Sequence, residues 1–186
     1  NKWTYGNTQH GIYSVTTLRY LNEQRIGGQI NFNIQDDKGS DSIYGQVVNF
    51  QQPEIYNKIS YRFNDENAIK IESGLSHHNQ ESHYGTTKYI ANQTNYNISI
   101  SHILNWKSHK LTSGISFYRH NLKEEINFNN NYYFNKTYQG LPNDEKVKSI
   151  FIENIFKWNS DNLQFITGFR ADHHNKYGLF ISPRGL

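Results

Sequence analysis

The chain has 186 residues, of which 35% are hydrophobic and 15% aromatic, and its mean hydropathy is −0.85. The aromatic content argues against a disordered chain, and the lack of cysteine excludes disulfides and thiolate chemistry. Its 19 basic and 16 acidic residues form no basic stripe, so no nucleic-acid partner is expected. Few aliphatic residues beside many Tyr, Phe, Asn, Ser and Thr are typical of a sheet with one apolar and one wet face. Both a transmembrane β-barrel wall and a soluble β-sandwich have that composition.

Apolar and polar residues alternate with period two along most of the chain, which predicts antiparallel β-strands. Several alternating runs reach about 10–13 residues, whereas soluble strands cluster near ~5–6 and tilted membrane strands need ~9–11. Run length therefore favours an up-and-down transmembrane β-barrel segment. In chain order, about ten strands are predicted: residues 11–21, 25–35, 43–51, 55–63, 68–78, 94–106, 110–121, 146–158, 163–173 and 177 to the end.

The predicted connections differ in length in a regular way. Short polar turns are expected at 63–67, 106–109 and 158–162, and long connections at 79–93 and 122–145. Up-and-down order places the long connections at one end of the sheet, as in outer-membrane barrels. Trp106 and Trp158 stand just before short turns, where an aromatic girdle would lie, although two such positions can also coincide by chance.

Three glycines, Gly74, Gly114 and Gly168, each follow a hydroxyl-bearing residue in the middle of a predicted strand. Each also follows a short turn by a similar number of residues. Glycine inside a strand often marks a bend or a close packing approach. We therefore expect the three positions to share a structural role.

Strand parity orients the last predicted hairpin. Gly168, Arg170 and Asp172 share one face of their strand, and Phe165 and Phe169 share the other. An arginine facing lipid at the bilayer midplane would cost ~2–4 kcal/mol. The parity therefore predicts that Arg170 and Asp172 form a pair facing a lumen and that the two phenylalanines face lipid.

Residues 55–184 resemble the barrel of TonB-dependent outer-membrane receptors. The resemblance rests on the run from His109 to Ser116, on Phe151-Ile-Glu-Asn, and on the stretch from Thr167 to Arg184. That family shows a strand "F-x-E", a strand "G-x-R-x-D" and then "G-x-x-x-[ST]-P-R". The similarity covers about residues 55–184 and is strongest after 146. The matching motif residues are Gly168, Arg170, Asp172, Gly178, Pro183 and Arg184.

The resemblance implies a plugged barrel of about 22 strands in the outer membrane of a Gram-negative bacterium. Such a receptor imports a scarce nutrient, an iron-siderophore or cobalamin, with energy delivered through TonB. A carbohydrate importer of the same fold is the alternative substrate class. Ten strands cannot close a barrel of that size, and neither a plug domain nor a signal peptide is evident. We therefore expect residues 1–186 to form an open partial barrel that contacts lipid, with TonB engaged by a missing N-terminal region.

Chemistry other than transport finds little support in the sequence. Adjacent histidines on a strand point to opposite faces, so a metal site is not expected at the histidine-rich positions His77, His78, His83, His173 and His174, with Asp172 beside the last two. Nothing fixes Glu153 and Asp172 as an acid–base pair, and no phosphate loop or nucleophile elbow occurs. We therefore predict no enzyme and no cofactor.

A self-contained extracellular β-sandwich used for binding or adhesion is the competing class. A barrel wall predicts one exposed apolar band containing Ile30, Phe32, Ile115 and Phe165, whereas a sandwich predicts that a second sheet buries them. The best ligand-contact candidate is the segment 122–145, since rings among amides can stack on and hydrogen-bond a planar ligand or a sugar. Its aromatic residues are Phe128, Tyr132, Tyr133, Phe134 and Tyr138; the alternative is a surface loop that shields the barrel mouth.

Overall fold

A computed structural model describes residues 1–9, 11–130, 133–140, 143–158 and 163–185, with the backbone alone at 129–130 and 133–136. These residues form ten strands: β1 (Lys2–Gly6), β2 (Gly11–Gly28), β3 (Gly45–Arg62), β4 (Asn67–Tyr84), β5 (Thr87–Trp106), β6 (His109–Asn130), β7 (Tyr133–Gln139), β8 (Asn143–Trp158), β9 (Leu163–His174) and β10 (Gly178–Gly185). The predicted all-β class is confirmed. No helix in the described ranges is long and apolar enough to cross a membrane.

All ten strands belong to one antiparallel sheet. Its order is β1-β2-β3-β4-β5-β6-β8-β9-β10, and β7 pairs with the distal part of β6. The path does not return to its start, so the sheet is open, as predicted. We call the end that carries the turns at 63–66 and 107–108 the lower end. The opposite end, with the connections at 29–44, 85–86 and 175–177, is the upper end.

The lower turns are short, as predicted. The backbone N–H of Phe63 donates to the Asn67 carbonyl (2.9 Å), and the Asn64 side chain accepts from two N–H groups within the turn. Lys107 adopts φ 50° in the tight turn between β5 and β6. The predicted turn at 159–162 lies outside the described residues.

The strands are longer than predicted, and several predicted boundaries are wrong. Residues 11–21 and the start of 25–35 form the single strand β2, and 43–51 and 55–63 form β3. The predicted connection 79–93 is instead paired strand, in which β4 and β5 meet at a tight turn where Gly85 has φ 56°. Polar residues on both faces in these upper parts remove the alternation that would mark them as strands.

The long upper connection is 29–44, which was predicted to be largely strand. β2 ends at Gly28, whose φ of 152° favours glycine, and the chain then leaves the sheet. The Phe32 ring packs on Gly45 so closely that a Cβ there would collide with it. Ile30 is fully exposed off the sheet. The expectation that Ile30 and Phe32 belong to the apolar band is therefore wrong.

The two faces of the sheet differ sharply in chemistry. We call the side that carries Ile115 and Ile150 the apolar face and the other side the polar face. Strand register places one row of apolar residues across seven strands on the apolar face: Ile59, Ile71, Ile100, Ile115, Ile150, Ala171 and Ile181. Of these, Ile115, Ile150 and Ile181 are more than half exposed.

Charge is confined to the polar face in the lower half. From the lower turns up to the isoleucine row, no described strand places Lys, Arg, Asp or Glu on the apolar face. The polar face at the same height carries Arg62, Lys70, Lys110, Glu153, Arg170 and Arg184, and Lys58, Glu72 and Asp172 lie one position above the row. The sheet is therefore strongly two-sided over this height.

Aromatic rings mark the lower border of the apolar face. Trp106 and Trp158 are 58% and 59% exposed there; the Trp106 ring stacks on His109, and the Trp158 ring lies edge-on to Phe156. Register places His109, Phe156 and Phe165 in the same row as Trp106. Both tryptophans end their strands, as predicted, and Trp106 precedes the short turn at 107–108, whereas the turn after Trp158 lies outside the described residues. Their place at a membrane interface remains a prediction.

Candidate functional site

The C-terminal hairpin has the predicted parity. The Arg170 Nε lies 2.8 Å from the Asp172 carboxylate, and its Nη2 donates to the Ser149 hydroxyl at 2.7 Å. The guanidinium also stands 5.9 Å from the Phe151 ring centre. Phe165 and Phe169 pair with residues of the opposite, apolar face. The structure therefore shows the predicted two-sided hairpin, without showing what either face meets.

Gly168 lets two side chains meet across a strand. Arg184 of β10, Gly168 of β9 and Glu153 of β8 lie in one row on the polar face. The Arg184 Nη1 lies 3.1 Å from the Glu153 carboxylate, over the glycine. Gly178 has φ 82° after the hairpin turn, and Pro183 lies on the edge strand opposite Phe169. All six motif residues therefore have defined positions in β9 and β10.

The three mid-strand glycines, Gly74, Gly114 and Gly168, all leave space for side chains of neighbouring strands. All lie on the polar face, and a neighbouring side chain covers two of them closely. A Cβ at Gly74 would approach the Asn97 side chain to 2.5 Å, and one at Gly114 would approach the Phe151 ring to 2.7 Å. The glycines thus provide gaps into which larger neighbours fold. All three therefore share a facing, whereas one common structural role stays a prediction, because only Gly74 and Gly114 are closely covered.

The predicted ligand-contact segment is a hairpin rather than a loop. Tyr138 pairs with Ile126, two positions from Phe128, so Phe128 and Tyr138 are diagonal neighbours on the polar face. They are 44% and 51% exposed. Tyr132 lies outside the described residues. Tyr133 and Phe134 lie in β7, described only by backbone, so the structure brings together two of the five candidates.

A hydrogen-bonded phenol stands beside these rings. Tyr89 pairs with Ile126, and its hydroxyl donates to the Glu124 carboxylate at 2.6 Å. Burial, followed by this hydrogen bond, raises the pKa of Tyr89 to about 12. The phenol therefore stays protonated at neutral pH. Tyr89 and the region in which β7 pairs with β6 lie above the isoleucine row, near the upper end of the sheet.

A polar depression that the sequence did not predict lies on the polar face around Gly74. Its volume is about 400 Å³, and the Arg19–Glu54 ion pair (2.5 Å) and the Asn97 amide line it. Thr17, Tyr56 and Asn95 complete its polar lining. The mid-strand glycine was the one available sequence signal, because the lining residues come from four strands and are spread over the chain from Thr17 to Asn97.

The connection 29–44 is tied to the upper sheet by charge. Lys38 and Lys88 lie 3.5 and 3.1 Å from the Glu81 carboxylate, and these contacts hold the pKa of Glu81 below its ordinary value despite partial burial. His83 packs beside Gly39. Burial, together with the Lys38 charge, lowers the pKa of His83. Its buried Nδ1 has no hydrogen-bond partner among the described atoms.

The histidine pairs point to opposite faces. His77 contacts Thr94 at 2.8 Å on one face and His78 contacts Gln52 at 2.8 Å on the other. His173 and His174 likewise pair with Lys148 and Val147 in successive rows. Within the described ranges, no three His, Asp or Glu side chains form a group that could hold a metal ion.

Comparisons with protein-family models, with curated proteins and with solved structures gave no significant match to this chain. The resemblance to TonB-dependent receptors therefore rests on the motif residues alone.

Proposed function

We propose that this chain forms part of the β-barrel wall of a TonB-dependent outer-membrane receptor, with its apolar face toward lipid and its polar face toward the lumen. The observation that carries the proposal is the apolar row of six exposed isoleucines and Ala171 across seven strands, in a half-sheet whose described charges all lie on the other face. In water such a surface would favour aggregation. In a bilayer it is the stable arrangement.

The dimensions of the apolar face support the same proposal. On β5 it extends from Trp106 to Tyr96, ten residues apart. At ~3.4 Å per residue and a tilt of ~40°, that length spans about 25 Å, the height of an outer-membrane apolar band. Strands of 16–22 residues in β2 to β6 and β8 continue above it.

A sandwich domain receives less support. In that class a second sheet would cover Ile115 and Phe165, but both are at least half exposed and the described strands form one sheet.

The proposal extends to nutrient import because of the motif residues and the polar face. Arg170, Asp172 and Arg184, on which the resemblance to the family rests, all lie on the polar face, where Arg184 pairs with Glu153. At the upper end, Phe128 and Tyr138 offer aromatic surface on the same face. An iron-siderophore or cobalamin is the proposed ligand class, and a carbohydrate is the alternative.

Cysteine scanning tests the orientation, because the chain contains no cysteine of its own. Ile100→Cys and Ser99→Cys place thiols on adjacent residues of opposite faces. In the full-length protein in outer-membrane vesicles, an environment-sensitive fluorophore at position 100 should report an apolar environment and be quenched by brominated acyl chains. The same fluorophore at position 99 should not. Equal quenching at both positions would contradict the proposal.

Transport itself is tested by uptake. Cells that express the full-length protein should accumulate ferric siderophore or cobalamin more than vector controls, and only where TonB is functional. Uptake that is unchanged by loss of TonB would contradict the energised import.

A further inference from the structure

Charged residues begin at different heights on different strands along the upper border of the apolar face. Above the isoleucine row, Lys148 is the first charged residue on β8, and Arg119 and Lys146 pair with each other one row higher. On β4 and β5 the first charges of this face, Glu81 and Lys88, occur several rows higher. The cations therefore gather over β6 and β8 and directly adjoin the apolar rows.

The cluster is not neutralised locally. Asp144 lies 2.8 Å from Arg119 and 3.0 Å from Lys146. Three cations against one carboxylate leave two positive charges, with Lys148 exposed and unpaired among the described side chains. His173 stands beside Lys148 on β9 and contributes further donor capacity. We call Arg119, Lys146, Lys148 and His173 the cationic rim.

An apolar trough descends from the cationic rim. A depression of about 380 Å³ is lined by Lys148 and by Ile98, Ile100, Ile115 and Phe117. A second, of about 510 Å³, continues downward past Ile115 and Ile150 to Phe169. The two share Ile100 and Ile115, so the trough is continuous over several rows. Its lining is mostly apolar and extends on β5 from Ile98 to His102, about 14 Å along the strand, which suits the upper part of one acyl chain.

The geometry points to a binding site for an anionic lipid, which is not implied by nutrient import. We propose that its phosphate binds the cationic rim and that an acyl chain lies in the trough below. Charge complementarity selects an anionic over a zwitterionic headgroup, because the rim carries excess positive charge at the height where headgroups would lie. The inference rests on the proposed insertion of the apolar face into a bilayer.

Brominated lipids test the site. A fluorophore at Leu179→Cys lies in the same row as His173 and Lys148 and does not line the trough. The full-length labelled protein is reconstituted in phosphatidylcholine vesicles with 10 mol% of either brominated phosphatidylglycerol or brominated phosphatidylcholine. Preferential binding predicts stronger quenching by the brominated phosphatidylglycerol at the same mole fraction.

Two substitutions distinguish binding of the lipid headgroup from general contact with the membrane. Lys148→Gln should weaken the phosphatidylglycerol preference about fivefold. Lys58→Gln, which removes a lysine from the polar face at a similar height, should leave the preference intact. Equal quenching by both lipids, or a preference that survives Lys148→Gln together with His173→Gln, would overturn the lipid site. A preference abolished by millimolar inorganic phosphate would also overturn it in favour of a free-anion site. No quenching by either lipid would instead refute the proposed insertion.

Discussion

Arg184 and Glu153 form an ion pair although a whole strand separates them. Their atoms meet at 3.1 Å because Gly168, between them in the same row, has no side chain to intervene. Glycine spacing on the polar face is thus part of how this sheet packs its side chains. The three glycines differ, however, in how much space surrounds them.

That difference predicts unequal effects of the same substitution. A Cβ at Gly114 would lie 2.4 Å from the Ile100 carbonyl and 2.7 Å from the Phe151 ring, whereas the nearest atom at Gly168 is 3.3 Å away. Gly114→Ala should therefore lower the free energy of unfolding by about 1–3 kcal/mol, and Gly168→Ala by less than about 1 kcal/mol. Urea unfolding in lipid vesicles measures both. Equal losses would show that the close contact at Gly114 relaxes freely.

Charge on the apolar face should be costly only in a bilayer. Ile152→Arg places a cation on the apolar face midway between Phe156 at its lower border and Lys148 at its upper border, and should lower stability in vesicles by about 2–4 kcal/mol. Ser99→Arg, on the polar face of β5, is the matched control and should cost much less. Unfolding measured in the same vesicles decides this. Similar losses for both variants would contradict the assignment of the faces.

The upper connection should loosen as the pH falls. Because the folded pKa of His83 lies below its ordinary value of 6.5, the unfolded chain binds more protons, and stability is lost as the pH falls below that value. The new charge would lie near Lys38 and Lys88, with Glu81 as partial compensation. The protection factors of amides in residues 29–44, in which the base-catalysed intrinsic exchange rate is divided out, should therefore be lower at pH 5.5 than at pH 7.5.

His83→Gln should reduce that pH dependence, because the amide does not titrate. His102→Gln, far away near the lower end, should leave it unchanged. Protection factors in residues 29–44 that depend on pH as strongly in His83→Gln as in the parent would assign the effect to the carboxylates instead.

Ligand contact at the β6–β7 hairpin predicts a local loss of affinity. Phe128→Ala with Tyr138→Ala removes both exposed rings and should raise the ligand concentration for half-maximal uptake about tenfold or more, since stacking rings contribute appreciably to binding. Tyr177→Ala, in the exposed turn before β10, is the control. An unchanged half-maximal concentration in the double variant would place the ligand elsewhere on the polar face.

The predictable parts of the fold were those with one apolar and one polar face. Residues 110–121 and 163–173 alternate cleanly, and both strands and their facing followed from that pattern. The upper parts of β2 to β5 are polar on both sides, so the pattern vanished where the strands continued. Residues 25–34 alternate well yet leave the sheet at Gly28, because backbone conformation and the packing of Phe32 override the pattern.

The candidate sites differed in the same way in how far the sequence could predict them. Arg170, Asp172 and the glycines could be placed from parity, since their partners lie in adjacent rows. The Gly74 depression and the cationic rim combine residues from strands that are distant in sequence. Only the register between strands brings Lys148 beside Phe117, and a single sequence does not fix that register.

Paired strands continue about ten residues above the row that contains Leu18 and Tyr96, from Leu18 to Gly28 on β2. That length corresponds to roughly 33 Å of hydrogen-bonded ladder. A ligand that meets rings carried on such a ladder encounters groups whose backbone is already ordered. Binding of the ligand would then cost little conformational entropy of the chain. Selectivity between ligands would come from the spacing of side chains on neighbouring strands more than from closure of a flexible loop.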